Sequence, residues 1–132
     1  MTIDADGSGG NPFDDPYFQP DTSYHHNGEA LNPYTVPFIV LPPDLIRAVS
    51  PAVLGCKAKA TNLANGISVD AIVGDVGPET KLGEASCLLA KLIGLSGHPN
   101  TGGTLNYDAI MYQFWPGKQI CLNGIIYELQ PY

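Results

Sequence analysis

Apolar positions recur along the chain in short runs, and the spacing within each run predicts mostly strands. Tyr34-Thr-Val-Pro-Phe-Ile-Val-Leu41 is rich in β-forming residues and is stopped by Pro42-Pro43. Asp44 to Val49 predicts a short helix with Asp44 as its cap. From Val53 to Thr61 the pattern alternates: Cys56, Ala58 and Ala60 face one way, and Lys57, Lys59 and Thr61 the other. That alternation is the mark of a half-buried strand. Asn65-Gly66 signals a tight turn, so Ile67 to Val73 pairs back as the second strand of a hairpin. From Glu84 onward, Ala85, Leu88, Leu89, Leu92 and Ile93 fall at helical spacing, with Gly94 as the stop. Residues 96–106 form a Gly/Asn/Thr loop. Asp108 to Phe114 reads as a strand ending at Trp115-Pro-Gly117, and Gln119 to Leu129 as a last hairpin about Asn123-Gly124.

Residues 1–34 show little periodicity and many Asp, Gly, Pro and Asn, and are expected to form an acidic, irregular surface segment outside the core. The expected architecture is mainly β: a single domain over residues 1–132, with that segment followed by a small barrel over 35–132. The barrel has about six short strands and one principal packed helix.

Composition narrows the function more than the fold. The chain has 132 residues, of which 44% are hydrophobic and only 14% charged, with a net charge of -7. An acidic surface repels phosphate backbones, so nucleic acid is not an expected partner, whereas a cationic ligand would be attracted. No apolar run of about 18 residues appears, so no membrane span is expected. The N-terminus lacks the basic and apolar regions of an export signal. Such a signal was removed before this numbering, or that route is not used. Cys56, Cys87 and Cys121 form no Cys-x-x-Cys pair. They are expected to be buried, unpaired thiols, and neither a metal nor another cofactor is expected. His25 and His26 lack metal-ligand companions and read as loop residues bordering a cleft.

The stretch VGDVGPETKLGEAS, residues 73–86, carries the candidate chemistry. Asp75 lies just past a strand, in a turn between glycines, and Glu84 opens a helical pattern. Either is ordinary alone: a turn Asp bonds its own backbone, and a Glu at a helix start meets the helix dipole. Together they match the needs of glycosidic cleavage, which takes one protonated carboxyl for the leaving oxygen and one carboxylate to act on water or on the sugar.

The same stretch resembles the signature of glycoside hydrolase family 75, the fungal-type chitosanases: a Gly-Asp-x-Gly-Pro turn, then Lys-Ile-Gly-Glu-[Ala/Ser]-Ser opening a helix. Other blocks resemble the family in the same order: DADGSGGNPFDDPYFQPDTSYHH, TVPFIVLPPDL and YDAIMYQFWPG. A second likeness is to double-psi β-barrel proteins, which include family 45 endoglucanases. The resemblance implies a six-stranded double-psi β-barrel. It also implies an inverting, endo-acting hydrolase of β-1,4 glucosamine linkages, with Asp75 and Glu84 as its essential carboxylates. Inversion requires those carboxyls to lie roughly 6.5 to 9.5 Å apart. Two arguments compete over the acid. A helix N-terminus favours ionised Glu84, whereas burial beside an ionised Asp75 would favour its protonated form. Analogy with the related cellulase barrel assigns Glu84 as acid and Asp75 as base.

Asp14, Asp15, Asp21 and Asp70 are candidates to neutralise the ammonium groups of chitosan, and Tyr17, Tyr107 and Trp115 to stack on sugar faces. Asp4, Asp6, Ser8, Gly9 and Asp15 fall near calcium-loop positions. However, position 12 is Asp rather than Glu, Pro12 interrupts the loop and no entering helix precedes it, so a structural turn or substrate-side acidic segment is expected instead. Two other functions compete. One is a bacterial cell-wall glycosidase, a toxin or lysis domain acting on peptidoglycan and met by an immunity or inhibitor protein. The other is a non-catalytic glycan-binding barrel. The family likeness implies a secreted protein.

Overall fold

The computed structural model describes residues 1–49, 53–78, 83–104 and 109–132. In chain order its elements are β1 (Thr2–Asp4), β2 (His25–His26), β3 (Glu29–Ala30), β4 (Phe38–Leu41), α1 (Pro43–Val49), β5 (Lys57–Asn62), β6 (Ser68–Val76), β7 (Glu84–Ser86), α2 (Cys87–Leu92), β8 (Ile110–Trp115), β9 (Cys121–Leu122) and β10 (Ile125–Ile126). The protein is mainly β, as its hydrophobic pattern predicts. Six strands form one mixed sheet in the order β1-β7-β4-β6-β5-β8, and β2–β3 and β9–β10 are separate hairpins. β1 and β8 are the two ends of the sheet, and no closed barrel is found among the described residues. None of the helices described is long and apolar enough to cross a membrane.

The predicted hairpin is β5–β6, paired antiparallel from Lys57↔Ile72 to Thr61↔Ser68. Ala58, Ala60 and Asn62 turn inward while Lys57, Lys59 and Thr61 are half-buried. β4 lies inside the sheet, paired with β6 in parallel and β7 antiparallel, and is buried at all four positions. A strand enclosed on both faces reads as a continuous apolar run. Phe38, Ile39, Leu41, Ile72, Leu89 and Ile93 fill the core. Each fully buried side chain of this size stabilises the fold by about 1.5–3 kcal/mol. The last hairpin turns at Asn123 and Gly124, with φ of +50° and +79°, the left-handed pair that a two-residue turn requires.

Five local expectations are corrected. Residues 1–34 are not outside the core: β1 pairs in parallel with β7, and Met1, Ala5, Tyr24 and Leu31 are buried. Three residues are too short to show periodicity, and β1 has meaning only through its partner. Asp75 is not past a strand but within β6, which runs on to Val76. Glu84 does not open a helix. It belongs to β7, and α2 begins after Ser86, whose side chain caps it by accepting from Leu89 N. Ser86 is an intrinsically good cap, and Glu84-Ala85 gain more from pairing with both β1 and β4. Cys56 and Cys87 are buried free thiols as expected, but Cys121 is exposed because β9 lies in a small peripheral hairpin. In α1, Asp44 sits inside the first turn, where it pairs with Arg47 at 3.3 Å, and the helix itself begins at Pro43.

Candidate functional site

A groove of about 730 Å³ opens beside β1, β6 and β7. Its walls carry Asp4, Asp6, Asp15, Asp21, Asp75 and Glu84, and no Lys or Arg among the described residues.

Asp75 reaches this groove through an irregularity in β6. Val73 pairs with Ile39, but the next pair on β4 is Val40 with Asp75, so Gly74 is an extra residue. Such a bulge re-aims the side chain that follows it. The position demands glycine: a Cβ there would stand 2.6 Å from Phe38 Cβ and 2.7 Å from Leu31 Cδ1. On the other side of β4, Val40 pairs with Glu84. Asp75, Val40 and Glu84 therefore form one row across three strands. At about 4.8 Å per strand, the two carboxylate-bearing residues stand roughly 10 Å apart at their backbones. Directly paired residues share a face, so the two side chains leave the sheet on the same side. Gly77 makes room for Glu84, since a Cβ there would lie 2.8 Å from Glu84 Oε2.

Asp75 is 8% exposed. Its Oδ1 accepts from Ser23 N and Ser23 Oγ, both at 2.9 Å, and from Val76 N at 2.8 Å. Converging donors hold a carboxylate in one orientation. Asp4 is equally buried, and its Oδ1 accepts from Asp6 N at 2.8 Å. One carboxyl oxygen each of Asp4, Asp6 and Asp75 lies within 4.8 Å of the other two. Burial, reinforced by the neighbouring Asp75 charge and a hydrogen bond to Asp75, pushes the Asp4 carboxyl up from 3.8 to about 9. Asp6 is also raised by burial, while the N–H of Gln19, which donates to its Oδ1 at 2.8 Å, opposes the shift. In the calcium-like segment, Asp15 Oδ1 accepts from Tyr17 N at 3.0 Å, so Asp4, Asp6 and Asp15 all serve as backbone acceptors. The Asp4–Asp6–Asp75 cluster has the spacing of a cation site.

The groove brings together Asp75, Glu84, Asp15, Asp21 and Tyr17 from the sequence-level candidates. Tyr17 is 85% exposed at its rim, and Asp21 is lowered chiefly by its hydrogen bond with His25. Asp14 is exposed and outside the lining. Asp70 is on β6 beside Lys59 at 4.0 Å, and Trp115 ends β8 with the Lys57 ammonium 4.8 Å from its ring centroid; neither lines the groove. Tyr107 lies outside the described residues. Sequence reasoning did not foresee that Asp4, Ser23, Gly74 and Gly77 help build the site. The Asp-x-Asp of residues 4–6 was visible, but nothing local ties it to Asp75.

The groove is open and rich in carboxylates, whose charge attracts a cationic group. The family model described as fungal chitosanase of glycosyl hydrolase group 75 matches residues 1–124. The class is therefore glycoside hydrolase, and the chain belongs to the group 75 chitosanase family. Among curated proteins, none matches the chain.

Proposed function

We propose that this protein is a secreted, endo-acting chitosanase that hydrolyses β-1,4 glucosamine linkages with inversion, using Glu84 as general acid and Asp75 as general base. The observation that carries this reading is the row Asp75–Val40–Glu84, which aims two carboxylates into one groove from backbones roughly 10 Å apart. That spacing is compatible with the carboxyl separation of roughly 6.5 to 9.5 Å that leaves room for a water.

In this mechanism Glu84 protonates the departing glycosidic oxygen. Asp75, held by Ser23, takes a proton from the water that attacks the anomeric carbon from the opposite face. The new C–O bond forms as the old one breaks, so the anomeric configuration inverts. Because Glu84 lies in β7, ahead of the α2 cap, the helix dipole no longer argues for it as the base. The carboxylates along the groove complement the ammonium groups of a glucosamine polymer and disfavour an anionic one such as peptidoglycan. Tyr17 at the rim offers a face for sugar stacking.

The double-psi barrel is part of the same proposal. It is supported by the mixed pairing, parallel for β1–β7 and β4–β6, and by the meeting of the Asp4 carboxyl on β1 with that of Asp75 on β6 although β7 and β4 lie between them.

The test is product release from soluble chitosan and from purified peptidoglycan, with wild type, Asp75→Asn and Glu84→Gln. Chitosan cleavage that falls by about 10²–10⁴-fold in each variant is the expected result. Cleavage of peptidoglycan alone would assign the site to cell-wall hydrolysis, and binding without cleavage of either polymer would make it a glycan-binding module.

A further inference from the structure

Asp4 is a buried acid that the two-carboxylate mechanism does not use. It sits on β1, and β7 and β4 lie between that strand and β6 in the sheet, yet its carboxyl meets that of Asp75. Asp6 joins them from the segment after β1. Two ionised carboxylates this close, both about nine-tenths buried, repel strongly, and a proton shared between them relieves that repulsion. Asp4 is the member that keeps it. Its Oδ1 already accepts from Asp6 N, whereas Asp75 Oδ1 is saturated by three donors. A carboxyl that accepts one hydrogen bond and must approach a carboxylate does so as a donor.

We propose that Asp4 is a positioning residue for Asp75: its carboxyl O–H donates to the Asp75 carboxylate, and with Ser23 on the other side it clamps the base toward the groove. This rests on the reading of Asp75 as general base. The clamp explains why a strand of three residues is tied into the sheet beside Glu84: β1 pairs Thr2 with Glu84 and delivers Asp4 two residues on. It also assigns a role to the first acidic residue of the chain, which calcium-loop spacing would read as a metal ligand.

The groups facing Asp4 set its behaviour with pH. Asp75 on β6 and Asp6 in the following segment are acidic, and the Cys87 thiol of α2 lies against the Asp4 carbonyl at 3.9 Å. Asp6 in turn feels Asp75, Asp15 and Glu84. Among the described residues, no cationic side chain is found with the groups that shift Asp4 or Asp6, and a proton on Asp4 would relieve the acidic cluster. Raising the pH toward about 9 removes that proton, breaks the clamp and leaves like charges in contact.

Asp4→Asn tests this directly. An asparagine amide can donate N–H to Asp75 and accept from Asp6 N, but it cannot ionise or transfer a proton. The expected result is chitosan cleavage within about threefold of wild type at neutral pH. The alkaline fall in kcat expected of wild type as Asp4 ionises should move to higher pH in this variant. Asp4→Ala, which removes the clamp, should lower kcat by about 100-fold, the scale of a misplaced catalytic group. An Asp4→Asn variant that folds but is inactive would overturn the proposal, because it would make Asp4 a proton donor to substrate or a metal ligand. So would loss of wild-type activity on chelation with recovery on adding calcium. A carbon-13 NMR titration of the side-chain carboxyls separates failure of the clamp from failure of the base assignment. A protonated Asp4 at pH 7 that titrates at lower pH in Asp75→Asn establishes the pair whatever the kinetics of Asp75 show. An Asp4 already ionised at pH 7 refutes it.

Discussion

The backbone N–H and the hydroxyl of Ser23 both donate to the same oxygen of Asp75, each at 2.9 Å, across 52 positions of sequence. A residue of the irregular N-terminal segment thereby fixes the orientation of a carboxylate on the central sheet. Ser23→Ala removes one of the two bonds and leaves the backbone donor. A hydrogen bond to a charged group contributes about 1.5–3 kcal/mol. We expect kcat on chitosan to fall by about tenfold or more while the fold persists, as judged by circular dichroism alongside the assay.

Gly77 stands where the Glu84 carboxylate needs space. A methyl at this position would lie 2.8 Å from Glu84 Oε2 and 3.1 Å from Val40 Cγ1, so one of them must move. Gly77→Ala is expected to shift the acid and lower kcat by about 100-fold with little change in stability. An unchanged kcat would mean that Glu84 does not need the position it occupies.

Ser86 ties three elements together. Its Oγ accepts from Phe38 N at 3.0 Å and from Leu89 N at 3.3 Å, and donates to Val36 O at 2.9 Å. Ser86→Ala leaves the buried Phe38 N–H without its partner, frees the partly buried Val36 carbonyl and removes the cap of α2. A loss of about 2–4 kcal/mol is expected, read from the midpoint of urea unfolding.

Stability should depend on pH through Asp4. Its folded value, about 9, lies above the 3.8 of an unstructured aspartate, so the folded chain holds more protons than the unfolded chain between those limits. Stability is therefore fully present below about pH 4 as far as this group is concerned, and declines as the pH rises toward 9. Asp6, raised by burial, acts in the same direction. The slope due to one such proton approaches about 1.4 kcal/mol per pH unit. Asp4→Asn should flatten it, which urea midpoints at pH 5 and pH 8 for both proteins would show.

The parts of this fold that were legible in the sequence are those governed by neighbours in the chain. The alternation of Lys57 to Thr61, the Asn65-Gly66 turn and the short helix ending at Val49 follow from stereochemistry over a few residues. The same held for the family, because the motif around Asp75 and Glu84 and the blocks that accompany it are each contiguous in the chain. Glu84 was misplaced onto a helix because the apolar spacing that begins at Ala85 continues into α2, and a three-residue strand leaves no periodic trace.

By itself, then, the sequence determined the β-rich class, the acidic character, the family and the motif that carries Asp75 and Glu84. The tertiary structure decided where those carboxylates point and what surrounds them. The extra residue Gly74 sets which β4 residue Asp75 faces, and strand pairing between β1 and β7 carries Asp4 to a site 71 positions away in the chain. The reason is physical: local preference acts over one turn or one pleat, whereas register is decided by which distant strands bury each other's apolar faces.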